Sequence, residues 1–144
     1  MSVKEILSAK GAEVTTARPD ITVETAAHVM RSGGIGAVVI SKDGDSLDGL
    51  ITERDIVNGL VQHGAAVMSM AVEDVMQNYP ATCAPDESID TVMAEMTRRR
   101  TRHLIVLEGD TIQGIVSIGD IVKQRMDDLQ LEVDALRTRY AATH

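Results

Sequence analysis

The chain is written twice, and this constrains its fold more than any other feature. The stretch GLITERD at residues 49–55 returns as GIVSIGD at 114–120: a glycine, two aliphatics, a hydroxyl residue, two variable positions and an aspartate. Around it, PDITVETAAHVM (19–30) aligns with PDESIDTVMAEM (85–96), and AVVISKDGDSLDGLITERDIV (37–57) with HLIVLEGDTIQGIVSIGDIV (103–122). SVKEIL (2–7) resembles AVEDVM (71–76). Nearly all of residues 2–57 is therefore repeated by 71–122. A unit used twice at this size can bury its apolar face against its own copy.

Each copy reads in the same order. A short helix (Val3–Leu7 or Val72–Met76) leads to a brief strand near Val14–Thr16 or Ala81–Cys83. A Pro-Asp turn follows, then a helix near Val23–Arg31 or Ile89–Arg98 with apolar residues three and four apart. Asp20 or Asp86 can stand at the mouth of that helix, with Thr22 or Ser88 as the competing caps. Two aliphatic strands come next, 37–41 with 47–51 and 103–107 with 111–116, joined by turns at Asp43-Gly44-Asp45 and Glu108-Gly109-Asp110. A second helix begins near Arg54 or Gly119. The pattern predicts an α+β fold of two pseudo-symmetric β-α-β-β-α repeats packed sheet to sheet, with a C-terminal helix added. Its expected boundaries are 1–63, a linker at 64–70, 71–126, and an amphipathic helix over 127–144.

Composition narrows the function. With two tyrosines and no phenylalanine or tryptophan, the core has to be aliphatic, helped by eight methionines. A net charge of -8 argues against a general nucleic-acid binder. Cys83 is the single cysteine, so neither an internal disulfide nor a cysteine-rich metal site is available. The first 20 residues do not read as a secretory signal and no segment is apolar enough to span a membrane, so a cytoplasmic protein is expected.

The hydroxyl and carboxylate of the repeated motif fall where a strand turns into a helix. Thr52 and Ser117 can cap that helix, with Asp55 and Asp120 favoured by its positive end. The same geometry offers N–H groups and a hydroxyl to a phosphate, and a carboxylate to a ribose diol. Locally, both readings stand.

Over about residues 2–125 the chain resembles a tandem cystathionine-β-synthase-type (CBS) domain pair, the Bateman module. The resemblance rests on Gly49-Leu50-Ile51-Thr52-Glu53-Arg54-Asp55 and Gly114-Ile115-Val116-Ser117-Ile118-Gly119-Asp120. It implies two clefts for an adenine nucleotide: AMP, ADP or ATP, with NAD or S-adenosylmethionine as further options, and no required cofactor. It further implies that Asp55 and Asp120 hold ribose, that Thr52 and Ser117 approach phosphate, and that Thr16 and Cys83 line the adenine side. The implied role is a regulatory sensor acting on an unknown regulated protein. The competing reading is a structural or protein-interaction module with non-functional clefts.

The second copy carries Arg98-Arg99-Arg100-Thr101-Arg102-His103 where the first has Ser32-Gly33-Gly34-Ile35-Gly36-Ala37. Basic side chains complement a helix C-terminus, and Arg102 and Arg100 also suit phosphate. The first copy lacks such a group, so its cleft is expected to bind polyphosphates more weakly or to borrow an arginine from across the pair. Arg54 is one candidate compensating donor. His103 reads first as a pocket-wall or packing residue and second as a ligand contact. No histidine has a partner at metal-ligand spacing, so no metal is expected. Cys83 reads as small apolar filler as well as an adenine-side residue. No base, nucleophile or phosphate-loop signature is present, and Gly33-Gly34-Ile35-Gly36 follows a helix rather than a strand, so no catalysis is expected. In the tail, Leu129, Val133, Leu136 and Tyr140 form one stripe. It suits either the chain's own body or a second subunit, and a homodimer is expected.

Overall fold

A computed structural model describes residues 1–11 and 13–143; His144, the last residue of the expected tail, lies outside the described residues. The first repeat contains α1 (Val3–Lys10), β1 (Thr16–Ala17), α2 (Val23–Gly33), β2 (Ala37–Ile40), β3 (Gly49–Thr52) and α3 (Glu53–His63). The second contains β4 (Thr82–Cys83), α4 (Ile89–Arg99), β5 (His103–Glu108), β6 (Thr111–Ser117) and α5 (Ile118–Thr143). Between them, Gly64–Ser69 and Val72–Asp74 form tight 3-10 turns, so the helix expected at Val72–Met76 is only a single turn. Each repeat has a three-stranded sheet whose middle strand runs parallel to its first neighbour and antiparallel to the second.

The central strands alternate, and both faces of β2 and β3 are buried. Val38, Ile40 and Ile51 face the helices of the first repeat. Leu104, Val106 and Val116 do the same in the second. The intervening residues Ala37, Val39, Leu50 and Ile105 meet in a third cluster, the seam where the two sheets face each other. A side-chain period of two delivers both sets at once. Each aliphatic buried this completely contributes roughly 1.5–3 kcal/mol.

Thr22 and Ser88, not the aspartates, cap α2 and α4, each accepting an N–H three residues on. A cap of this kind stabilises a helix by about 1 kcal/mol.

The leading segments of the two repeats are exchanged. Val3 and Ile6 lie in the core of the second repeat, while Val67 and Val72 lie in the core of the first. Backbone bonds fix the exchange symmetrically: Val3 N–H to the Glu87 carbonyl and Ile89 N–H to that of Met1, Val72 N–H to Ile21 and Val23 N–H to Met70. The exchange explains the motif glycines. A Cβ on Gly49 would lie 2.5 Å from the Met76 sulfur, and one on Gly114 would lie 2.6 Å from Leu7 Cδ2. Leu7 and Met76 are themselves repeat equivalents, so each glycine makes room for the other repeat's leading segment. No helix among the described residues is long and apolar enough to cross a membrane.

Candidate functional site

Both motifs fold alike. Thr52 caps α3, its hydroxyl accepting the Asp55 N–H at 3.2 Å while Asp55 Oδ2 accepts the Thr52 N–H at 2.9 Å. Ser117 and Asp120 repeat the reciprocal pair at the head of α5, at 3.2 and 2.9 Å. The spacing of three residues is what a capping box needs. The capping geometry is therefore present in both repeats.

The exchanged segments then reach these carboxylates. Gln77 donates to Asp55 Oδ2 at 3.0 Å, and Lys10 approaches Asp120 Oδ2 at 2.8 Å while also donating to the Ile115 carbonyl. Among the described residues the hydrogen bonds accepted by each carboxylate all fall on Oδ2. Burial pushes the Asp120 carboxyl up, but the bonds from Lys10 and Ser117 outweigh it and hold the group below its ordinary range.

Thr52 and Ser117 line one shared cleft of about 1000 Å³, between the strand starts of the two repeats. Its walls carry Arg31 and Arg54 from the first repeat and Arg99, Arg100, Arg102 and His103 from the second, against the single carboxylate of Glu53. On a chain of net charge -8 this is a concentrated positive field. The local cause is visible at Arg100, the left-handed C-cap of α4 with φ of 52°, where the first repeat has Gly34 at 61°. A residue with a Cβ pays strain in that conformation. Arg54 ties the repeats together by donating to the Arg100 carbonyl at 3.4 Å, and Arg99 donates to that of Tyr79 at 3.0 Å. Burial lowers the His103 pKa, with Lys10 and Arg102 adding to the shift against Asp120 and Glu53, so the imidazole is neutral at pH 7.

Of the residues singled out in the sequence, Thr52, Arg54, Arg100, Arg102, His103 and Ser117 meet in this cleft. Asp55 and Asp120 stand one helical turn behind its hydroxyls. Thr16 is exposed on the edge strand β1, and Cys83 is buried in the second repeat's core. Burial first, and Glu87 second, pushes the Cys83 thiol up to about 12. The resemblance implies two clefts, the first short of basic groups; Thr52 and Ser117 line the same large cavity, and the second repeat's arginines line it with them. Arg31, Arg99, Gln77 and Lys10 were not anticipated as site residues. Arg31 and Arg99 end their helices beside the glycine-rich and arginine-rich loops and were findable from that position; no local signal marks Lys10 or Gln77. A second, shallower groove of about 510 Å³ runs from Thr15 along α2 by Thr25 and His28. Among the described residues no three His, Cys, Asp or Glu side chains are placed to hold a metal ion.

The CBS domain family profile matches residues 3–62 and again 72–127. A mitochondrial CBS domain-containing protein of Arabidopsis thaliana is 34% identical over 121 residues, covering 81% of this chain but only 59% of that protein. The crystal structure of a CBS-domain containing protein from Agrobacterium tumefaciens superposes with a TM-score of 0.83 at 37% identity, over 86% of this chain and 92% of that one. The CBS domain pair of protein MJ0100, solved in complex with 5′-methylthioadenosine and S-adenosyl-L-methionine, superposes with a TM-score of 0.76 at 26% identity, over 86% and 98%. With two copies of the family profile on two copies of one fold, this chain belongs to the CBS domain family, as a tandem CBS domain pair.

Proposed function

We propose that this chain is a regulatory module that binds an adenine nucleotide in the shared cleft. The observation that carries the reading is the cleft wall: two capping hydroxyls, Thr52 and Ser117, among five arginines and one carboxylate. Guanidinium groups and helix-start N–H groups suit phosphate. Arg100 and Arg102 serve as the phosphate ligands, with Arg54 across the cleft and His103 as neutral wall. Asp55 and Asp120 present Oδ1 to ribose; Thr16 and Cys83, the adenine-side residues that the resemblance implies, are not among the residues lining this cleft. The MJ0100 domain pair, a relative that carries two adenosine compounds, supports the base and sugar part of this reading. The binding energy shifts the relative stability of two arrangements of the repeats, and a partner protein reads the shift.

A second reading has an observation of its own. Both motif carboxylates already hold protein donors, Gln77 and Lys10, as they would in a purely structural or protein-interaction pair. Calorimetric titration of dialysed protein with AMP, ADP, ATP, NAD and S-adenosylmethionine separates the two, after mass spectrometry for copurified ligand. Saturable binding is expected for at least one of them. A folded, ligand-free sample that binds none leaves Thr52 and Ser117 as helix caps.

A further inference from the structure

The two motif heads match in backbone but are opposite in charge. Glu53 N–H donates to the Gly36 carbonyl at 3.0 Å, and Ile118 N–H makes the same bond to the Arg102 carbonyl at 2.9 Å. Each bond joins the residue after the motif hydroxyl to the residue before the middle strand of its sheet. At these paired places the first repeat carries a carboxylate and no side chain, the second an aliphatic and a guanidinium. All four residues line the cleft. The Glu53 carboxylate lies over the bare Gly36 backbone: a Cβ there would stand 3.6 Å from Glu53 Cδ and 3.7 Å from Oε2. The exchanged segments deepen the difference, since Asp120 is met by the cation Lys10 and Asp55 by the neutral Gln77. Around Ser117, Lys10 and Arg102 therefore outweigh Asp120. Around Thr52, Glu53 and Asp55 outweigh Arg54, whose guanidinium is engaged by the Arg100 carbonyl at 3.4 Å. The first repeat's other wall cation, Arg31, stands on the last turn of α2 and not on the motif head.

We propose that Glu53 sets the polarity of the cleft, so that phosphate is accepted beside Ser117 and Arg102 and refused beside Thr52. The inference deepens the adenine-nucleotide reading and rests on it. A helix start offers an anion the equivalent of about half a positive charge. Glu53, the first residue of α3, sets a whole negative charge against that attraction. The capping hydroxyl of Thr52 is thus present without the field a phosphate needs. At the head of α5 the first residue is the uncharged Ile118, and Arg102 adds to the helix-start charge instead of cancelling it. Rejection by a like charge is as much a source of specificity as attraction by an unlike one. An adenosine polyphosphate therefore enters in one orientation and as one molecule per chain, although the motif is written twice. The Thr52 end is left for an uncharged nucleoside part or a cationic substituent.

The test is calorimetric titration of the full chain with ATP and, separately, with inorganic tripolyphosphate. The native chain is expected to take one equivalent of either. Glu53→Gln removes the charge and keeps the shape; it should take a second equivalent while leaving adenosine binding nearly unchanged. Glu53→Ile/Gly36→Arg gives the first repeat the second repeat's pair, and should bind that second equivalent about tenfold more tightly than Glu53→Gln. Ile118→Glu/Arg102→Gly, the converse exchange, should lose the native equivalent. None of the four positions is buried, so thermal transitions should stay near the native one; should a double variant unfold, Glu53→Gln alone decides. A native chain that takes two equivalents of ATP, or a Glu53→Gln chain that stays at one, overturns the polarity and leaves the nucleotide reading intact. Tripolyphosphate binding that follows the expected pattern without any ATP binding keeps the polarity and removes the nucleotide reading. A folded chain that binds neither probe, native or Glu53→Gln, overturns both.

Discussion

The Lys10 ammonium lies 2.8 Å from the Asp120 carboxylate, joining α1 of the first repeat to the motif of the second. Gln77 makes the corresponding reach in the other direction, to Asp55 at 3.0 Å. A group that engages Asp120 or Asp55 is thereby coupled to the exchanged segments, and through them to the opposite repeat's core.

Lys10→Met should lower stability by about 1 kcal/mol at neutral pH, the partly exposed pair being screened by solvent. The Asp120 carboxyl is more acidic folded than unfolded. Its stabilisation is therefore complete above the unfolded value and is lost as pH falls through the folded one, below about pH 4. Urea unfolding of both proteins should show a constant gap from pH 6 to 8 that closes toward pH 3. A gap unchanged at pH 3 would assign the loss to the Ile115 carbonyl bond instead.

Within the proposed cleft, Asp120→Ala should weaken a ribonucleotide about tenfold more than its 2′-deoxy analogue. Equal losses remove the sugar-binding role. Arg102→Ala should weaken ATP tenfold or more while leaving adenosine nearly unchanged, because only phosphate offers the guanidinium a charged acceptor. Titration of the four combinations decides both points, and an adenosine loss as large as the ATP loss makes Arg102 structural.

Arg100→Gly should raise stability by about 1 kcal/mol, since it relieves the left-handed cap at φ of 52°. The same change should weaken ATP by removing a cleft cation. Gly34→Ala, at the equivalent cap, should cost about 1 kcal/mol. Chemical denaturation with a parallel titration reads both effects; a destabilised Arg100→Gly would mean that the Arg100 side chain makes contacts worth more than its strain.

The two motif glycines should not be equally sensitive. A Cβ at Gly49 would lie 2.7 Å from the Gln77 carbonyl oxygen, which is backbone in a paired segment. At Gly114 the obstruction is the end of the Leu7 side chain, which can rotate. Gly49→Ala is expected to cost about 3 kcal/mol and Gly114→Ala about 1 kcal/mol. Thermal unfolding in the reverse order would refute the exchange as the reason for these glycines.

The sequence alone determined the repeat, and with it the α+β class, because apolar periods of two and of three to four are local properties of a chain. Strand alternation also determined both faces of each sheet: Val38 and Val39 had to point to opposite cores whatever covered them. The motif spacing likewise made the Thr52–Asp55 and Ser117–Asp120 capping boxes legible, since they close within one turn. Tertiary structure decided what depended on separation. Whether the boundary segments serve their own repeat or the other is a choice between two similar apolar surfaces, and no local pattern distinguishes them. Lys10 meets Asp120 across more than a hundred residues, and Gln77 meets Asp55 only through that exchange. The presence of both motif hydroxyls in the wall of one basic cavity has the same origin: the packing of the two repeats brings Thr52, Ser117 and the second repeat's arginines together, and packing between distant surfaces is not written in any single stretch of sequence.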